Sequence, residues 1–139
     1  MCIRDRNKLG QNVKNRLDNY NYLKKGLEKS SNFYVPSSYE NAKTGWLAFP
    51  IIFQNELADK RKDIQIFLEK VGIQTRTIFT GNILRQPVAK KFKWESFDDF
   101  HVSDEIMKSG ILLGCHNRQT KEKLDYTLEK LFEAESCLK

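Results

Sequence analysis

Two arginines, an asparagine and a glutamine crowd one short stretch, "TRTIFTGNILRQP", at residues 75–87. Each arginine carries a planar, permanently charged fork suited to bidentate contact with a phosphate or a carboxylate. Asn82 and Gln86 bring donors and acceptors together, as recognition of sugar hydroxyls requires. Gly81 lets the backbone adopt positive φ or approach a ligand closely, and Pro87 stiffens the exit. Arg76, Asn82, Arg85 and Gln86 are therefore candidate binding residues, with His116 and Asn117 of "CHNRQ" as further candidates. Plainer readings stand beside these: Arg76 on the outward face of a strand, Arg85 and Gln86 in a solvated loop, His116 in a turn.

Other chemistry has little to stand on. The chain has no GxSxG, no GxxxxGK[ST] and no HExxH. Cys115 and His116 are adjacent, but neighbours along a strand point to opposite faces, which argues against a nucleophile–base pair. Three scattered cysteines without a CxxC spacing, and two histidines, argue against a disulfide framework or a metal site. The net charge of +6 favours anionic partners, or simply lysines on solvated helix faces. Because basic and acidic residues are interspersed, a stand-alone nucleotide- or nucleic-acid-binding module is only a secondary reading, and nucleic acid is an unlikely partner. No apolar run reaches the roughly 18–20 residues of a membrane span. The longest, "GWLAFPIIF", is broken by Pro50, and "MCIRDR" lacks the apolar core of a signal peptide, so a cytoplasmic protein with no membrane partner is expected.

The elements that must position these residues can be read from periodicity. Leu9, Val13, Leu17, Tyr20, Leu23 and Leu27 form the apolar stripe of one long helix ending near Ser30 and Ser31. "NFYVP" suggests a short strand stopped by Pro36. "GWLAFPIIF" reads as a strand apolar on both faces and so covered on both, with Pro50 at an edge or bulge. "DKRKDIQIFLEKVG" reads as a helix with Asp59 as N-cap, an Ile64, Phe67, Leu68, Val71 stripe and Gly72 as C-terminal cap. "IQTRTIF" alternates as a strand. Residues 80–102 lack clean periodicity, and so long an irregular stretch is usually functional or mobile. A short helix capped by Ser103, a buried strand "ILLG" and a final helix capped by Thr120 complete the chain, the last placing Leu124, Leu128, Leu131 and Glu135 along one face. Trp46 and Trp94 read as packing residues that could also cover a sugar or base ring. The fold class is α+β: a small, mostly antiparallel sheet with helices packed on it, preceded by one long amphipathic helix.

The string "KRKDIQIFLEKVGIQTRTIFTGNILRQP" resembles the C-terminal region of the DegT/DnrJ-type PLP-dependent sugar-nucleotide aminotransferases. The pairing of "GIQTR" with "GNILRQP" looks most like the RfbH-type NDP-4-keto-6-deoxyhexose 3-dehydrases. "KLGQNVKNRLDNYNYLKKGL", "GWLAFPI" and "ILLGCHNRQTKEKLDY" are similar to the family's long helix, a later strand and its terminal helix, so the likeness runs over residues 7–135. The family pattern has proline near the histidine where this chain has Cys115-His116-Asn117, which weakens transfer of a role to His116.

The resemblance implies the small C-terminal domain of a fold-type I enzyme working with pyridoxal or pyridoxamine phosphate. It divides the chain into residues 1–6 as an expected non-native leader, 7–30 as the helix arriving from a large cofactor domain, and 31–139 as the small domain. The implied activity of the parent is 3-dehydration of an NDP-4-keto-6-deoxyhexose for lipopolysaccharide or related deoxysugars, with sugar aminotransfer as the alternative. No catalytic residue is expected within this chain, which alone would be inactive. Arg76, Asn82, Arg85, Gln86 and His116 would bind the NDP-sugar, in a parent that is a homodimer and could draw on a reductase partner.

Overall fold

The computed structural model describes residues 6–95 and 98–138, so the leader expected at 1–6 lies almost wholly outside the described residues. Among these are four α-helices and four strands: α1 (Leu9–Leu27), β1 (Phe33–Tyr34), β2 (Ala48–Phe53), α2 (Arg61–Lys70), β3 (Thr75–Thr77), α3 (His101–Ser109), β4 (Gly110–Gly114) and α4 (Lys121–Leu138). The strands form one antiparallel sheet in the order β1-β2-β4-β3, so the α+β expectation holds.

One face of this sheet carries the core. Phe49, Ile51 and Phe53 of β2 and Ile111 and Leu113 of β4 are buried there. Against them lie Tyr20, Leu23 and Leu27 of α1, Ile64 and Leu68 of α2, and Leu124 and Leu131 of α4. Helical spacing on three helices and alternation on two strands thus converge on a single cluster. The stripe of α1 is only half used: Tyr20, Leu23 and Leu27 are buried while Leu9, Val13 and Leu17 remain exposed.

The other face is less covered than an all-apolar strand suggests. Along β2 burial alternates, and Ala48, Pro50 and Ile52 are only half-buried. The register sets Pro50 opposite Leu112, which is in turn opposite Arg76. On the other side β1 reaches only Ile52, so Pro50 faces a part of β2 with no strand beyond it. A residue without an N–H is tolerated at such a local edge.

Helix ends differ in places from the sequence expectation. Asp59 does not cap α2, whose N-cap position is Lys60 without a side-chain bond. Its carboxylate instead pairs with Lys108 at 2.5 Å. Ser103 does not cap α3, which begins two residues earlier at His101 after Phe100 in the left-handed region. The C-terminus of α2 is as expected: Gly72 has φ +82°, and Ile73 N–H reaches back to the Leu68 carbonyl at 2.8 Å. β3 is shorter than "IQTRTIF", because Phe79 takes φ +45° and turns the chain away.

Glu135, on the buried face of α4, is held in a polar knot. Its Oε1 accepts from Ser30 Oγ at 2.6 Å and from Asn32 Nδ2 at 2.7 Å, tying α4 to the turn after α1. Asn55 Nδ2 donates to Asn32 Oδ1 at 3.2 Å and joins the segment after β2 to the same knot. Trp46 stacks on Tyr20 with ring centroids 4.0 Å apart and planes 7° from parallel, a packing role.

Candidate functional site

Arg76 is the central residue of β3 and projects from the less covered sheet face. It borders an open groove of about 770 Å³ with Leu47, Phe79, Leu112 and Gly114. The groove is mainly apolar: Leu47 is 82% and Phe79 88% exposed, unusual values for such large side chains.

Beyond β3 the chain folds into the polar loop. Gly81 has φ +66°, and a Cβ there would stand 2.3 Å from the Cβ and 2.9 Å from the Cα of Met107. No other residue allows the loop to lie so close to α3. Asn82 is 3% exposed; its Oδ1 accepts from the Leu84 N–H at 3.0 Å and its Nδ2 donates to Asp104 Oδ1 at 2.9 Å. Arg85 grips the same carboxylate along one edge, with Nε 3.0 and 3.1 Å from Oδ1 and Oδ2 and Nη2 2.7 Å from Oδ2. These bonds, Arg85's first and Asn82's second, hold the Asp104 carboxyl below its usual pKa, and Asp104 in turn raises that of Arg85. Gln86 Nε2 donates to the Thr80 carbonyl at 2.8 Å and closes the loop on itself. Two short 3₁₀ turns, Ile83–Arg85 and Pro87–Lys91, follow, so the stretch is more structured than its lack of periodicity suggests.

Asp104 was not among the residues singled out from the sequence, and it organises the loop. The signal that could have found it is an acidic residue in the first turn of the next helix after an arginine-bearing loop. His116, by contrast, is not brought to this cluster. Thr77 pairs with Ile111, so the loop leaves the sheet at the Gly110 end of β4, whereas His116 follows the opposite end at Gly114. At about 3.3 Å per residue the strand keeps them roughly 15–20 Å apart. His116 is exposed, its Nδ1 accepts from the Arg118 N–H at 3.2 Å, and its carbonyl accepts from Asn19 Nδ2 at 2.7 Å. Asn117 is committed to α1, donating to Asn12 Oδ1 at 2.6 Å. Cys115 is buried with its thiol on the Arg16 carbonyl, and burial pushes its pKa up to about 11, so it does not pair with His116 as a nucleophile. Among the described residues no cluster of His, Cys, Asp and Glu is placed to hold a metal ion, and no helix is long and apolar enough to cross a membrane.

A family model described as the DegT/DnrJ/EryC1/StrS aminotransferase family matches residues 3–132. The chain belongs to that family. Among its relatives is the lipopolysaccharide biosynthesis protein RfbH of Salmonella typhimurium, 32% identical over 87% of this chain and 28% of its own. A solved E. coli GDP-4-keto-6-deoxy-D-mannose-3-dehydratase with bound hydrated PLP superposes with a TM-score of 0.81 at 25% identity, over 93% of this chain and 33% of that one. A variant of a GDP-4-keto-6-deoxymannose-3-dehydratase with bound GDP-perosamine gives the same score, identity and coverage. The DegT/DnrJ chain described here thus spans only about a third of these proteins or less.

PLP, bound in the E. coli neighbour, needs a phosphate cradle and usually an acidic partner for its ring nitrogen. The groove beside Arg76 offers one cation and no carboxylate among its lining residues. Among the described residues, those lining this groove do not by themselves make a PLP site.

Proposed function

We propose that this chain is the C-terminal portion of an NDP-4-keto-6-deoxyhexose 3-dehydratase serving lipopolysaccharide or other deoxysugar synthesis. The observation that carries the reading is the 32% identity to RfbH across 87% of the chain. The superposition on two 3-dehydratase structures, one holding PLP and one GDP-perosamine, supports it. Residues 7–30 then arrive from a large domain that holds the cofactor and its acid–base groups, and residues 31–139 form the small domain. The parent is a cytoplasmic homodimer, and a reductase is a partner if the cofactor must be supplied with electrons.

Within this scheme the chain's task is recognition and not proton transfer. Arg76, on the open sheet face, and Arg85, on the loop, supply charge-assisted contacts to the diphosphate of the sugar nucleotide. Asn82 and Gln86 act one step back, by shaping the loop that carries Arg85. The exposed Leu47 and Phe79 beside Arg76 are the surface on which the large domain closes, excluding water from the charged contacts. His116 stands apart from this group and would reach substrate only from the other end of the sheet.

The test begins with a sequencing read through the gene upstream of Asn7. The encoded full-length enzyme is then supplied with pyridoxamine phosphate and an NDP-4-keto-6-deoxyhexose, and the product is weighed. Loss of the C3 hydroxyl supports 3-dehydration. A product that has gained nitrogen assigns the chain to the aminotransferases instead. An upstream frame with no cofactor domain overturns the reading.

A further inference from the structure

A guanidinium has two hydrogen-bonding edges, and Asp104 occupies one of those on Arg85. The carboxylate takes Nε and Nη2, while Nη1 has no partner among the described residues. That leaves the Nη1–Nη2 edge, the end-on fork that matches two oxygens of a phosphate, uncommitted. The Arg85 side chain is 54% exposed, so the spare edge is within reach of a ligand.

The carboxylate is itself fixed. Asn82, only 3% exposed, donates to Asp104 Oδ1, and the close seat of Gly81 on Met107 keeps the loop against α3. An arginine on a surface loop ordinarily samples many rotamers and must be ordered when it binds, at a cost in affinity. Here a four-residue arrangement has ordered it beforehand.

We propose that Asp104 is a positioning residue for anion recognition: by holding one edge of Arg85 it presents the other as a pre-oriented fork for the diphosphate of a nucleotide sugar. The inference rests on the reading of Arg85 as a substrate-binding residue given above. Asp104 acts through Arg85 and touches no ligand. Its negative charge near the phosphate works against binding, so positioning and simple electrostatics predict opposite signs when that charge is removed.

The opposed signs make the experiment decisive. Asp104→Asn, Arg85→Ala and the double variant are made in the full-length enzyme. KM and kcat for the NDP-sugar, inhibition by the free nucleoside diphosphate, and the melting temperature of the holoenzyme are then measured. Positioning predicts that Asp104→Asn raises KM and weakens the diphosphate by about three- to tenfold, the scale of one side chain's ordering, with a smaller effect on kcat. It also predicts that Asp104→Asn adds little once Arg85 is alanine, because the two act as one unit. If Asp104→Asn leaves diphosphate binding unchanged or tightens it while Arg85→Ala weakens it, Arg85 binds the anion but the positioning role is overturned. If Arg85→Ala itself changes nothing, the reading of Arg85 falls and this proposal falls with it. A loss of melting temperature in Asp104→Asn without any change in diphosphate inhibition assigns the pair to folding alone and also overturns it.

Discussion

Gly72 and Gly81 both sit at positive φ, +82° and +66°, yet alanine should cost very different amounts at the two sites. At Gly72 a Cβ meets nothing within 4 Å, so the substitution carries only the strain of an L-residue in the left-handed region, about 1–2 kcal/mol. At Gly81 the same strain applies, and the Cβ also lies 2.9 Å from the backbone Cα of Met107, which no side-chain rotation relieves. Overpacking of that kind adds about 1–3 kcal/mol, giving a total of about 2–5 kcal/mol. The cheapest escape is for the loop to lift off α3, which breaks the Asn82 and Arg85 bonds to Asp104. Urea unfolding followed by the fluorescence of Trp46, which stacks on Tyr20, in a Trp94→Phe background reports the global effect. Trypsin cleavage after Arg85 reports the local one. The expected result is a lower midpoint for Gly81→Ala than for Gly72→Ala, together with faster cleavage at Arg85. Equal midpoints and wild-type cleavage would show that the loop is not seated on α3 as described.

Leu131, fully buried in α4, should lose about 2–5 kcal/mol on conversion to alanine, measured by the same urea titration. Glu135→Ala strands the buried amide of Asn32 and should cost about 1–3 kcal/mol, visible as a lower melting temperature. Tyr20→Phe removes the hydroxyl that donates to the Pro36 carbonyl and should cost about 0.5–1.5 kcal/mol. Burial raises the Cys115 thiol from 9.0 to about 11 and the Tyr20 phenol from 10.0 to about 12. In both cases the fold holds the neutral form, so their stabilisation is whole below the unfolded values and is lost as pH climbs through roughly 9 to 12. Urea midpoints taken across that window should fall, and Cys115→Ala should flatten the part between roughly 9 and 11.

Helical stripes were legible because burial on one face imposes a period that few other causes imitate, and the stripes of α2 and α4 fall where Ile64, Leu68, Leu124 and Leu131 meet the sheet. Caps were less legible. Asp59 precedes a helix and looks like its cap, but Lys108, distant in sequence, claims the carboxylate. The same limit applies to the loop. Composition picked out Asn82, Arg85 and Gln86 as polar neighbours, yet the group that organises two of them, Asp104, comes from the next helix through a contact that no local spacing encodes. His116 was grouped with them by residue type, and the register of β4 sends it to the other end of the sheet. Which face of the sheet is left open could not be read from β2, because Ala48, Pro50 and Ile52 are as apolar as the residues that alternate with them.

The strand order β1-β2-β4-β3 bears on how such a chain is assembled as it is synthesised. β4 is an interior strand and the last of the four in sequence, and it alone joins β2 to β3. Until residue 110 and those after it have left the ribosome, β2 has only a two-residue neighbour and β3 has none. The helix that seals the core, α4, arrives later still. Folding of this region therefore waits for residues 110 onward, and most of the apolar strand "AFPIIF" must stay unpaired in the meantime, a window in which a chaperone or the already folded portion of a longer polypeptide has most to contribute.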